Sequence, residues 1–268
     1  MISRFERSMN YVVLIVFASI ILGPLATIFT TAFGPESAAD AGGIHLENFS
    51  QAWAAAKFDK YLVNSLMVTL TVLAISLTVS LAAGYALGTM RFWGSEVLFY
   101  VFLLGIMVPA EAIVIPLFFD LRALGLTDTL LAVAMPQVAM STAFGTYWMR
   151  TYFRSSNPAI TEAAKLDGAG PLRTLWSVQL PVARPAIVTL TVLVFMWTWN
   201  EFLIPLIMSP TGKMRTMPQG LAFFQGQHTT DTALLAAAAV MVALPVVIVY
   251  LFLQRHFIRG MLEGAVKD

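Results

Sequence analysis

LVNSLMVTLTVLAISLTVSLAAGYALGTM, residues 62–90, runs for 29 residues without one charged side chain. A helix rises about 1.5 Å per residue and a bilayer's hydrocarbon core is about 30 Å thick, so roughly 20 such residues cross it. Five further stretches have the same character: about 11–33, 97–119, 129–149, 185–209 and 232–254. They lack the alternation of barrel strands, and a helix satisfies every backbone group within its own segment. The expectation is an all-α polytopic membrane protein with six transmembrane helices, forming a single transmembrane domain over residues 1–268.

Composition agrees. The chain is 58% hydrophobic and 12% charged, against about 25% charged in a soluble domain. It has no cysteine, which excludes disulfides, thiolate metal sites and cysteine nucleophiles. His45, His228 and His256 are scattered without ligand-like spacing, and no metal is expected. The first stretch follows Arg4 and Arg7 but is too long for a signal-peptide core and lacks an A-x-A site, so it reads as a retained span.

Lys and Arg set the orientation. With the amino terminus inside, the inner segments carry Arg4, Arg7, Arg91, Arg150, Arg154, Lys165, Arg173, Arg184, Arg255, Arg259 and Lys267. The outer loops carry Lys57, Lys60, Arg122, Lys213 and Arg215, so the count is eleven against five. Both termini are therefore expected in the cytoplasm, together with the polar stretch TEAAKLDGAGPLRTLWSVQLP, residues 161–181.

That stretch reads as a helical hairpin over 157–181. Asn157 suits an N-cap and Pro158 a first helical residue, Gly168 a left-handed C-terminal cap, and Pro171 the start of a second helix. Leu172, Leu175, Trp176 and Leu180 recur at helical spacing, which predicts one apolar face. Ala163 and Ala164 are small enough for another protein's surface to approach closely, with the Glu162 carboxylate beside them. An ordinary interfacial helix pair has the same chemistry.

The spacing is more specific. Glu162-Ala163-Ala164, three residues, Gly168, nine residues, Val178, one residue, Leu180-Pro181 resembles the cytoplasmic loop of permease subunits of ATP-binding-cassette importers. Val178 stands where that pattern usually has isoleucine. YLVNSLMVTL (61–70), MVPAEAIVIPLFFDLRALGLTDTLLAVAMP (107–136), WTWNEFLIPL (197–206) and QRHFIRGMLEGAVKD (254–268) are similar to the sugar-importing branch, in particular the smaller permease of maltose- and glycerol-phosphate-type systems.

The resemblance implies a type I ABC importer permease fold and a coupling helix whose ATPase contacts are Glu162, Ala163, Ala164, Asp167, Gly168, Leu180 and Pro181. It also implies tail contacts with the ATPases through Gly264, Ala265, Val266 and Lys267. Implied partners are a second permease, two copies of an ABC ATPase and an extracytoplasmic sugar-binding protein, in the lipid of a bacterial or archaeal inner membrane, without nucleic acid. The chain lacks G-x-x-x-x-G-K-[ST], since Gly212-Lys213 has no first glycine. ATP and Mg would thus be bound by the partner ATPases, this chain binding no cofactor and having no catalytic residue.

Ionisable groups inside spans mark functional positions by default. Glu111 and Glu201, with Asn200 and Gln137, are the candidate substrate path, Asn64 a weaker one. Gln225, Gly226 and Gln227 form a loop tip suited to touching a binding protein. Rival readings are the same importer class with another cargo such as glycerol phosphate, and an ion-coupled transporter using Glu111 and Glu201. ALLAAAAVMVALP (233–245) is a small-residue face suited to packing against the partner permease.

Overall fold

A computed structural model describes residues 4–35, 43–225 and 231–265, with side chains to residue 254. The main elements among the described residues are helices: α1 (Arg4–Ala32), α2 (Glu47–Ala55), α3 (Phe58–Thr89), α4 (Ser95–Met107), α5 (Ala110–Ala123), α6 (Leu130–Ser155), α7 (Pro158–Leu166), α8 (Pro171–Val182), α9 (Arg184–Trp199), α10 (Leu203–Met208) and α11 (Thr232–Ala265), with two short helical turns at Met217–Gly220 and Leu221–Phe224. Two compact units are formed, one from Met1–Lys60 and Gln219–Pro245, the other from Tyr61–Pro218 and Val246–Asp268.

In the first unit α1 is apolar on every side and exposes nearly all its large side chains, from Phe5 to Phe29. Such a helix is stable only where lipid or another protein covers it. Its carboxyl end is closed by Asn48 of α2, whose Nδ2 donates to the carbonyls of Ala32 (3.1 Å) and Gly34 (2.9 Å). Ala236, Ala237 and Ala238 are buried within this chain. The small-residue face expected to meet a partner permease is therefore already covered, at least at these positions.

The second unit is organised on α6. Its polar residues Gln137, Ser141, Thr142, Thr146 and Arg150 are buried, while Leu131, Met135, Met140 and Tyr147 are exposed. This inside-out arrangement suits a helix whose outer face meets lipid and whose polar groups must find partners within the protein. α3 approaches α6 through Gly84 and Gly88. A Cβ on Gly84 would lie 2.5 Å from Met149 Cβ and 2.9 Å from the Arg150 amide nitrogen. One turn away, Gly145 of α6 leaves room for Ser80 of α3.

Arg150 joins three helices. Its Nε donates to the Leu87 carbonyl of α3 (3.3 Å), its Nη2 binds both Glu96 oxygens of α4 (2.9 and 3.0 Å), and its guanidinium lies 3.6 Å from the Phe99 ring centre. The sequence presented Arg150 only as one inner charge among eleven. No spacing rule connects it to a glutamate 54 positions away.

Two expected spans are broken. The stretch 97–119 is α4 and α5, bent by 95°. Pro109 is the cause, because it cannot donate an amide hydrogen and forces Val108 into extended backbone (φ −81°, ψ 121°). The stretch 185–209 is α9 followed, after Asn200–Phe202, by the short α10. Among the described residues three helices are long and apolar enough to cross a membrane, or up to five if the bent pairs α4–α5 and α8–α9 each count as one span.

At the amino-terminal end of α6 the segment 209–217 is held on several sides. Asp128, at φ 60°, accepts hydrogen bonds from the Ser209 hydroxyl (2.8 Å), the Thr211 hydroxyl (2.7 Å) and the Thr211 amide (3.2 Å). Asn64 donates to the Lys213 and Arg215 carbonyls (3.0 and 2.8 Å), and the Ser65 hydroxyl accepts from the Met217 amide (2.8 Å). Burial opposes ionisation of Asp128, but the Thr211 and Ser209 donors and the Lys213 charge outweigh it and hold its carboxyl below the usual range.

Two outcomes follow from this packing. Gly84→Leu should lower the melting temperature of the detergent-solubilised protein, since overpacking costs about 1–3 kcal/mol. Gly23→Ala, with nothing within 4 Å of the added carbon, should not lower it, since alanine is the better helix former. For Asp128 the depressed pKa means that anchoring is complete above about pH 4 and lost as the pH falls through the lower folded-state value. A spin label on Pro210→Cys, the chain's one cysteine, should be immobile at pH 7 and mobile under strong acid, and partly mobile at pH 7 in Asp128→Asn.

Candidate functional site

At the carboxyl end of α6 the chain passes directly into the hairpin. The Asn157 side chain accepts from the Ala159 amide (3.0 Å), and Pro158 begins α7 at a position where its missing amide hydrogen costs nothing. The turn then closes on two bonds: the Gly168 amide donates to the Lys165 carbonyl (3.0 Å) and the Ala169 amide to the Ala164 carbonyl (2.9 Å). Gly168 sits at φ 75° between them, which makes this a Schellman cap that a side chain would strain.

α8 begins at Pro171 and is not a plain α-helix, because Thr174–Gln179 forms a π-helical turn. The π turn carries Thr174, Leu175 and Gln179 inward. Gln179 is 1% exposed and its Nε2 donates to the Thr161 hydroxyl of α7 at 2.8 Å, which ties the two arms together. The single apolar face expected from Leu172, Leu175, Trp176 and Leu180 is therefore divided. Leu175 is buried and Leu180 half-buried, whereas Leu172 and Trp176 are 73% and 59% exposed. The reason is geometric: Leu172 and Trp176 share one side of α8, while Leu175 and Gln179, also four apart, take the side that packs inward.

Glu162, Ala163, Asp167, Gly168 and Pro181 are exposed and Ala164 is buried. Leu166 is 89% exposed beside them. Between α7 and the ends of α3 and α6 lies a polar cavity of about 490 Å³, lined by Arg91, Glu96, Arg154, Asn157, Glu162 and Lys165. The surface thus combines fixed backbone, several charges and uncovered large apolar groups.

The intramembrane candidates are dispersed. Glu111 is exposed in the first turn of α5. Glu201 Oε1 accepts from the Leu203 and Ile204 amides (2.9 and 3.0 Å), so its carboxylate caps α10 across the break. The Asn200 side chain donates back to the Met196 carbonyl (2.8 Å). Gln137 is buried and donates to the Val133 carbonyl (2.9 Å), while its Oε1 has no hydrogen-bond partner among the described residues. Asn64 serves the 209–217 segment. Among the described residues no three His, Asp or Glu side chains gather as metal ligands would.

Trp197 and Trp199 point apart, as their spacing requires. Trp199 is buried and stacked on Phe195 (5.6 Å), and Trp197 is half-exposed against Phe144 (4.8 Å). Gln225 is exposed, and Gly226 and Gln227 lie outside the described residues. Gly264 and Ala265 end α11, and Val266 and Lys267 also lie outside the described residues. Asp128, Glu96 and Arg150 escaped the sequence reading. A GxxxG signature at Gly84 and Gly88 was the available signal for the α3–α6 contact on which Arg150 depends.

Residues 78–263 match the family described as binding-protein-dependent transport system inner membrane component. The chain is similar to the trehalose transport system permease protein SugB of Mycobacterium tuberculosis, with 31% identity covering 91% of this chain and 92% of that protein. It is also similar to the diacetylchitobiose uptake system permease protein NgcG of Streptomyces coelicolor, with 28% identity covering 97% and 89%. Among solved structures, a bacterial ABC transporter involved in the import of the acidic polysaccharide alginate matches with a TM-score of 0.80 and 26% identity, covering 96% of this chain and 99% of that one. Helices, hairpin and similarity agree: the chain belongs to the family of inner membrane components of binding-protein-dependent transport systems.

Proposed function

We propose that this chain is one of two non-identical membrane subunits of an ATP-driven, binding-protein-dependent importer of sugars, and that the α7–α8 hairpin is where a separate ATPase docks. One observation carries the docking reading. On a hairpin closed at both caps, exposed Glu162 and Ala163 lie in the same element as uncovered Leu166, Leu172 and Trp176. Large apolar groups grouped around a charge, in a segment whose Lys and Arg content argues for a place outside the bilayer, are the composition of a protein interface.

The distribution of Lys and Arg supports a cytoplasmic hairpin and termini, and the length of α6 supports six crossings. At about 1.5 Å per residue, its 26 residues span roughly 39 Å. Its polar groups are buried within the chain, so its modest hydropathy does not argue against lipid on its outer face. Sugar as cargo rests on the relatives, whose names give trehalose, diacetylchitobiose and alginate.

In this reading the chain makes and breaks no bond. Nucleotide and metal belong to two ATPase copies, an extracytoplasmic binding protein delivers the sugar, and closure of the ATPases moves the hairpin and with it the helices. The carboxyl-terminal residues Gly264–Lys267 reach the ATPases, and Gln225–Gln227 face the binding protein. Glu111, Asn200, Glu201 and Gln137 border the path. Gln137 retains a buried acceptor suited to a sugar hydroxyl, whereas Glu201 Oε1 serves two backbone amides, a local use that accounts for this carboxylate without ion coupling.

Isolation from native membranes in mild detergent should bring down an ATPase and a second permease. Glu162→Ala should release the ATPase, because removing one partner of a buried interfacial charge pair costs about 2–5 kcal/mol. Undiminished ATPase recovery and uptake would overturn the docking role. Gly168→Val should likewise weaken recovery, since a left-handed backbone costs a residue with Cβ about 1–2 kcal/mol, while Gly168→Asn should be tolerated better.

A further inference from the structure

The junction between α8 and α9 turns by 83° around Ala183. Pro185 lacks an amide hydrogen, so the regular helical ladder cannot run unbroken through this elbow. α6 fastens it from the side. Tyr152 donates its hydroxyl to the Val182 carbonyl (3.1 Å), and Trp148 donates its indole N–H to the Ala186 carbonyl (3.1 Å). Donors and acceptors are each four residues apart, and the acceptors straddle the bend. One turn further along α6, Phe144 meets Trp197 of α9 edge to face at 4.8 Å, three residues before Asn200. Three consecutive turns of α6 thus grip the elbow and the length of α9.

The hairpin is consequently closed on α6 twice. α7 continues α6 through Ser156 and Asn157, and the far end of α8 returns to α6 at Tyr152. Gln179 and Thr161 join the two arms between these points. A closed loop of this kind cannot rock at the elbow without breaking the Tyr152 and Trp148 bonds.

We propose that Trp148 and Tyr152 are positioning residues that make the elbow rigid, so that a displacement of the hairpin is delivered to α9 and to the break at Asn200–Phe202. They touch neither cargo nor nucleotide. The inference rests on the reading of the hairpin as the ATPase dock. Without the two bonds the elbow flexes, and ATP closure is spent bending it instead of moving α9.

The test uses the complete importer, with its partner subunits and binding protein, in proteoliposomes. Tyr152→Phe keeps the aromatic ring and removes only the hydroxyl, whereas Trp148→Phe removes the indole N–H together with part of the ring system. Subunit recovery, ATP hydrolysis and sugar uptake are measured on the same preparations. The expected result is an intact complex that hydrolyses ATP, with sugar moved per ATP falling about fivefold in each variant, the scale of one hydrogen bond. If Trp148→Phe does not fold, Tyr152→Phe alone, which loses a single oxygen, still gives the ratio. An unchanged ratio, a proportional fall in uptake and hydrolysis, or loss of the ATPase from the complex would each overturn the proposal. Glu162→Ala separates the two readings: ATPase recovery in that variant reports on docking, and the uptake-to-hydrolysis ratio in Tyr152→Phe reports on transmission.

Discussion

Arg150 is the constraint around which the second unit is built. A guanidinium can be held in the interior only if its charge and its donors are answered there. Here the answers come from the α3 backbone at Leu87, the α4 carboxylate of Glu96 and the Phe99 ring. Each partner belongs to a helix that must then lie close to α6, and Gly84 and Gly88 supply the close approach. The same helix carries Trp148 and Tyr152 toward α8 and α9. Its two ends bear the hairpin and the clamp at Asp128, so one polar, buried helix connects the features most relevant to transport.

Much of this was legible from residues that act locally. Asn157-Pro158, Gly168 and Pro171 each impose a backbone condition within one or two positions, and the hairpin they specify is the one observed. The long uncharged run at 62–90 is equally direct, since it lies almost wholly within α3. Pro109 by itself does not give the size of the bend between α4 and α5, because a 95° turn requires neighbouring elements to receive the two halves.

What escaped were contacts between residues distant in sequence. Arg150 with Glu96 and Asp128 with Ser209 and Thr211 join positions whose spacing carries no period. Glu201 illustrates the reverse case. A carboxylate in an apolar run reads as a functional group, yet here it answers the amides left open by a helix break. Such a role appears only once the break is seen. The divided face of α8 likewise depends on the π turn, which hydrophobic spacing does not announce.

That π turn has a consequence for how the chain could change in length. A π turn is an α-helical turn holding one additional residue. Deleting one residue of Thr174–Gln179 would restore a regular helix and leave everything beyond it nearly in phase, because the wide turn holds its extra residue without the further advance of about 100° that an α-helix would make. The Val182 and Ala186 carbonyls would therefore stay within reach of Tyr152 and Trp148. The π turn is thus slack held in the chain: the stretch between Pro171 and Pro185 can give up one residue there and still seat the elbow on α6, which an unbroken α-helix could not do.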